Sequence, residues 1–237
     1  MHEVDFLCLA VSRRDGGNCI AGIDLNSGKW IRPINSKTDG AFGDHEIFVS
    51  EVGVRQPRIM ELLDVLHLQI DRYVGENAQP ENWETAPASY ENPYLALRKF
   101  DRRDDLLKLR YYLDRNRLLL HSLSERVPES EIRFHKLTHS LSLIHPNRLH
   151  WKVLEHPANP ARLQVRADFT FEQNAYNLVV TDPVWEATCR RFGKGRHSHS
   201  SILGQENRQI LLAVSLAAKP IRGWHYKLVA GVINLPA

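Results

Sequence analysis

Apolar and polar positions alternate with a period of two along much of this chain, and the alternation predicts strands. The clearest case is Leu163–Phe171. Leu163, Val165, Ala167, Phe169 and Phe171 share one face, and Gln164, Arg166, Asp168 and Thr170 share the other. Glu172-Gln173-Asn174 predicts a hairpin loop and Tyr176–Thr181 the returning strand. Leu141–Ile144 and Leu149–Leu154 read as short strands around His145-Pro146-Asn147-Arg148. Ile210–Leu216 and Trp224–Ile233 are the last two, joined by Lys219-Pro220-Ile221-Arg222-Gly223. Near the N-terminus, Phe6–Val11, Cys19–Leu25 and Lys29–Ile34 predict a three-strand meander. Its turns fall at Asp15-Gly16-Gly17 and Asn26-Ser27-Gly28, and Ser12-Arg13-Arg14 interrupts the first strand.

The period of 3.6 is rarer. Asp101–Leu118 is the clearest predicted helix, with Asp101 as N-cap, Leu106, Leu109 and Leu113 as the buried stripe, and Asp104–Lys108 as an i,i+4 pair. Its arginines read as a solvated face. Asp182-Pro183 places a capping carboxylate before an N1 proline and predicts a helix over Pro183–Phe192, stopped by Gly193. Ile59–Ile70 fits both periods, and a turn leading into a strand at Leu63–Ile70 is the preferred reading. Tyr73–Pro93 reads as a loop, and Gly193–Ser201 as a flexible basic one.

Composition adds bounds. The chain has 237 residues, 43% hydrophobic and 25% charged, as in an ordinary soluble globular protein of one large or two small domains. No apolar run approaches a membrane span and no signal peptide is read, so a cytoplasmic protein without a membrane partner is expected. Cys8, Cys19 and Cys189 form no close-spaced pair, and no disulfide framework or zinc cage is expected. Net charge is +3 but uneven: from Ala187 to Lys227 eight basic residues stand against Glu206 alone. A basic surface in the C-terminal part follows.

Two β-rich halves, each with one helix, predict a mainly β protein with a few helices (α+β), built as two small Greek-key barrels of the OB type packed together. The turn at Ser124-Glu125-Arg126-Val127-Pro128 places the junction, giving residues 1–125 and 126–237. Several blocks resemble a known family. They are Cys8-Leu9-Ala10 with Ser12-Arg13, Gly16-Gly17, Cys19-Ile20-Ala21-Gly22 and Gly28-Lys29-Trp30-Ile31-Arg32-Pro33. Shorter blocks follow at Glu81-Asn82-Trp83, Arg126-Val127-Pro128, Tyr176–Pro183 and Tyr226–Ala230. Together they are similar to the bacterial dual OB-containing domain family, from which the chain departs at Val11, where that family usually carries Asn. The resemblance implies two OB-like barrels and a nucleic-acid or nucleotide-binding role, often beside prokaryotic defence or mobile-element genes. It assigns no catalytic residues.

Binding a nucleic acid needs cations for phosphates and aromatic faces for bases. Arg13, Arg14, Lys29, Trp30 and Arg32 supply that mixture in the first meander, and Arg222, Trp224, Tyr226 and Lys227 near the C-terminus. Trp83, in a loop, and Arg126 complete the candidate set. Trp30 as a core residue and Arg32 as an ion-pair partner stay open as plainer readings, as does Trp83 as a plug on the core. No Walker A, Gly-x-Ser-x-Gly or His-Glu-x-x-His motif is present. His197-Ser198-His199 lacks accompanying metal ligands. The expectation is therefore a non-catalytic module for single-stranded or structured DNA or RNA, without cofactor or metal. One alternative is a sensor or enzyme for a nucleotide-like ligand in a groove between the barrels. The other is a protein-interaction subunit of a defence complex, whose partner is encoded nearby.

Overall fold

A computed structural model describes residues 2–14, 17–35, 40–51, 56–72, 86–87, 94–100, 102–135, 137, 139–204 and 209–235. The chain divides into two compact units, Met1–Tyr112 and Leu113–Ala237.

In the first unit, β1 (His2–Arg14), β2 (Gly17–Asp24) and β3 (Trp30–Ile31) form the expected meander. Ser12-Arg13-Arg14 does not end β1, because Ser12, Arg13 and Arg14 pair with Cys19, Asn18 and Gly17, and backbone pairing is indifferent to side-chain polarity. Next come β4 (Phe48–Ser50), β5 (Arg58–Ile59), β6 (Asp64–Arg72), β7 (Ala86–Pro87) and β8 (Tyr94–Lys99). Ile59–Ile70 thus resolves into β5, a turn through Leu63 at φ 70°, and β6. The sheet order is β3-β2-β1-β6-β8-β4-β5, with β7 on β6. Phe6, Cys8, Ile20, Phe42, Ile47, Val49, Leu66 and Leu68 are among the residues that pack its core. Arg58 holds the fully buried Asp64 through two N–H donors, each at 2.7 Å, tying β5 to the start of β6.

Gly22 explains its place in the Cys19-Ile20-Ala21-Gly22 block. A Cβ there would lie 1.9 Å from the carbonyl oxygen of Leu7 and 2.8 Å from the Phe6 ring. Relief would require β1 and β2 to part beside the bulge between Cys8 and Ala10. Gly22→Ala is expected to destabilise the first unit by about 2–3 kcal/mol, as overpacking in a rigid core does. Urea denaturation of purified protein measures this, and a variant within about 0.5 kcal/mol of the parent would contradict it.

The predicted helix at Asp101–Leu118 is shorter than its pattern. It comprises α1 (Arg103–Lys108) and a 3₁₀ turn at Leu109–Tyr112. Leu106 and Leu109 are buried as expected, while Leu113 is half-buried and starts the second unit. Arg102 occupies the N-cap without a side-chain bond, Asp101 lies outside the described residues, and Lys108 pairs with Asp105 rather than Asp104.

The boundary at Tyr112/Leu113, upstream of the expected 125/126, follows from hydrogen bonds. Asp114 N–H donates to Leu143, Leu119 N–H to the Tyr176 hydroxyl, and Lys227 N–H to the Glu125 carbonyl. The second unit holds β9 (Arg126–Pro128), α2 (Glu129–His135), β10 (Leu141–Ile144), β11 (Asn147–His156), β12 (Asn159–Phe171) and β13 (Asn174–Val180). It continues with α3 (Pro183–Arg190), β14 (Gly195–Ser198), α4 (His199–Leu203), β15 (Gln209–Leu216) and β16 (Trp224–Leu235). Its order is β10-β15-β16-β13-β12-β11-β14, with β9 on β16. Gly193–Ser201 is not a loop: β14 pairs with β11, and Ser198 caps α4.

Each unit is an eight-stranded sheet, not the closed barrel expected. Among the described residues β3 does not pair with β5, nor β10 with β14. These terminal strands are two to four residues long, too short for the staggered register that closure demands.

Candidate functional site

The strongest gathering of candidate chemistry lies on the outward face of the second sheet. Strand period sends Val165, Ala167, Phe169 and Phe171 of β12 inward, with Trp151 and Val153 of β11 and Leu178 and Val180 of β13. The intervening residues face the other way, and register aligns them. Val179 stands opposite Arg166, Arg166 opposite Lys152, and Lys152 opposite Arg196. The next row runs Asn177, Asp168, His150 and Ser198. On the far side of β13, β16 presents Trp224 and Tyr226, and β9 places Arg126 opposite Tyr226.

Arg126 lies with its guanidinium carbon 4.2 Å from the centroid of the Trp224 ring, a cation–π stack on an exposed strand. Arg166 lies between the stack and the row: it donates to Glu125, the residue before Arg126, to the Asn177 side chain, and at 2.6 Å to the Asn177 carbonyl. Asp168 accepts Lys152 at 2.9 Å and pairs with Arg196 at 3.5 Å. Partial burial works against its charge, but Lys152 and Arg196 outweigh that and hold the carboxyl below its ordinary value. The face therefore carries Arg126, Arg166, Lys152 and Arg196 against Asp168 and Glu125. The arginines keep N–H donors beyond those used in their pairs.

The structure separates the other sequence candidates. Arg13 pairs with Asn18 at one end of β2 and Trp30 with Ile23 at the other. Five residues of strand put them about 17 Å apart. Arg13 and Lys29 are exposed, Trp30 is half-buried and Arg32 is 9% exposed. Arg14 ends β1. Trp83 lies outside the described residues. Arg222 is exposed, at φ 51° in the two-residue turn into β16.

Lys227 is not on this outward face. Trp224 and Tyr226 point outward, so Lys227, an odd number of residues from each along the strand and in phase with inward His225 and Val229, points into the core at 1% exposed. Its ammonium donates to the carbonyls of Leu119 at 2.7 Å and Ser122 at 2.6 Å, and to the Ser122 hydroxyl at 2.9 Å. Between those carbonyls Leu120 and His121 adopt φ of 44° and 68°, a left-handed conformation costly for side-chain-bearing residues. The lysine thus holds a strained turn, and burial pushes its pKa down to about 7.

Asp182 is a cap, as its position before proline predicts. One carboxylate oxygen accepts the N–H groups of Val184 and Trp185 and the other that of Val232, all at 3.0 Å. Burial raises its carboxyl above the ordinary value against the pull of those three donors. Cys189 is buried, and its thiol is pushed up to about 12 by burial and the nearby Asp182 and Glu186 charges. Among the described residues no group of three His, Cys, Asp or Glu is arranged to hold a metal, and no helix is long and apolar enough to cross a membrane.

Alternation could have exposed Arg166 and Asp168 in advance, because they occupy the polar face of the clearest strand. Lys152 and Arg196 carry no such local signal, since only the pairing of β11 with β12 and β14 aligns them. No functionally curated protein matches the chain. The family comparison is positive: the dual OB-containing domain matches residues 4–232, nearly the full length, and the chain belongs to that family.

Proposed function

We propose that this chain is a nucleic-acid-binding module that takes a single strand of DNA or RNA across the outward face of its second sheet. The observation that carries the reading is the Arg126–Trp224 stack joined through Arg166 to Lys152 and Arg196. An aromatic platform beside a line of cations matches what an unpaired strand offers, since every base has a π-face and every linkage a charge. The cations sit on a half-buried sheet whose register spaces them, so little side-chain freedom is lost on contact. Membership of an OB-containing family is consistent with this use of a sheet face.

Anisotropy of a labelled oligothymidine or oligouridine tests the reading. Binding is expected to weaken with salt along a log–log slope of at most about −3, since four cations at about 0.7 each set the limit for a single strand. Trp224→Ala is expected to weaken binding about tenfold or more, the loss of one base stack. Arg126→Ala is expected to flatten the slope by about 0.7. Absence of binding at low salt, or binding indifferent to both substitutions, would remove this function.

A further inference from the structure

A further cluster of cations lies in the first unit. Arg98, Lys99, Arg102, Asp104, Asp105 and Lys108 line a groove of about 510 Å³. We infer that this groove binds the phosphate chain of a terminal di- or triphosphate. The inference does not depend on strand binding by the second unit, because none of its residues belongs to that face.

Asp105 organises the groove. It is 7% exposed, and its two oxygens accept Arg98 at 2.6 Å and Lys108 at 3.3 Å, one cation from β8 and one from α1. Burial works against its charge, yet Lys108 and Arg98 keep its carboxyl below the ordinary value, so it stays ionised near neutrality. Its charge is spent on fixing two cations. Arg98 is further steadied by the Phe100 ring, 4.9 Å from its guanidinium carbon. Its bond to Asp105 occupies one of its five N–H donors, and the others remain for a ligand. Lys99 is held by Glu61. Arg102 is exposed and makes no ion pair among the described residues.

Size and lining select the ligand class. The volume falls within the roughly 300–1,000 Å³ of small-molecule sites and exceeds what a lone phosphate needs. Among the described residues no aromatic or aliphatic side chain lines it, so none of them reads a base. Four cations facing one unspent carboxylate, Asp104, suit several linked phosphates. Two sources carry that chemistry: a free nucleoside triphosphate and the 5′-triphosphate end of an RNA.

Calorimetry on the full chain at about 50 mM salt tests the site, with inorganic tripolyphosphate, ATP, GTP and short RNAs bearing a 5′-triphosphate or a 5′-hydroxyl. Tripolyphosphate is expected to saturate one site, with ATP and GTP within about twofold of each other because the lining ignores the base. Arg102→Glu should weaken tripolyphosphate about tenfold or more, the loss of a charge-assisted contact. Asp104→Asn should tighten it, an effect that damage to the fold cannot mimic. In an Arg126→Ala/Trp224→Ala background, a 5′-triphosphate RNA binding more tightly than ATP identifies a strand end as the source, and equal affinities identify the nucleotide. No saturable heat from tripolyphosphate, or unchanged affinity in both groove variants, overturns the inference.

Discussion

Lys227→Ala is expected to destabilise the second unit by roughly 3–5 kcal/mol, from the cavity left by the aliphatic stem and the loss of its donors, the Leu119 carbonyl keeping only the Ser122 N–H at 3.3 Å. The substitution removes all three ammonium bonds to Leu119 and Ser122, which flank the left-handed residues Leu120 and His121. Lys227→Met refills most of the volume and restores no donor, so its loss should be smaller, about 1–3 kcal/mol. Urea denaturation followed by tryptophan fluorescence measures both, since Trp151 and Trp185 lie in the same core. Equal losses for the two variants would mean that the ammonium's bonds, and not the volume of the stem, account for the whole effect, and full stability in Lys227→Met would mean that volume alone supports the turn.

The same residue predicts a pH dependence. The folded pKa of about 7 lies below the ordinary lysine value of 10.5. Between the two, the unfolded chain carries the proton and the folded chain does not. The unfolded state thus binds more protons, and stability rises with pH, by up to about 1.4 kcal/mol per unit for this group. Below about 7 both states are protonated and the burial penalty is fully present. The stability of the parent relative to Lys227→Met should therefore increase from pH 7 to pH 9, a comparison in which other titrating groups cancel. A flat difference would show that the lysine keeps its proton throughout, held by its three acceptors.

Asp182→Ala carries the second large effect. The carboxylate both caps α3 and accepts the Val232 N–H of β16, so it joins helix start to sheet. Losing the cap costs about 1 kcal/mol, and orphaning a buried strand N–H a further 1–3 kcal/mol, for a total of about 3 kcal/mol. Asp182→Asn should fall between parent and alanine. In either amide orientation one side of the carboxamide presents N–H to N–H, so one of the two connections is lost. The Trp151–Trp185 pair, 4.9 Å between centroids, reports directly, because Trp185 is itself a donor to the cap. Full stability in Asp182→Asn would mean that one oxygen suffices for all three donors.

These residues show how unevenly the chain discloses its structure. The role of Asp182 was legible from proline alone, because a fixed φ and a missing N–H suit the first helical turn and little else. The pairing of the first meander was legible from its turns, and Gly22 sits where only hydrogen fits between β1 and β2. Composition places Lys227 among the ligand contacts, whereas the period of β16 assigns it to the inward face. Leucine spacing extends the helix expected at Asp101–Leu118 past Tyr112, whereas Leu113 forms a β-bridge with Leu143.

The sequence by itself determined the longer alternating strands, the helix cap, the tight turns and the family, since each rests on local geometry or on short blocks of residues, but not the short strands β4, β5, β7, β8, β9 and β14. Tertiary structure alone decided that the sheets stay open and that Arg166, Lys152 and Arg196 form one row. It alone decided that Asp105 gathers cations from β8 and α1. The physical reason is common to all three: they depend on which strand or helix lies beside which. That is set by register and by the burial of faces over the whole unit, and no local window of sequence contains it.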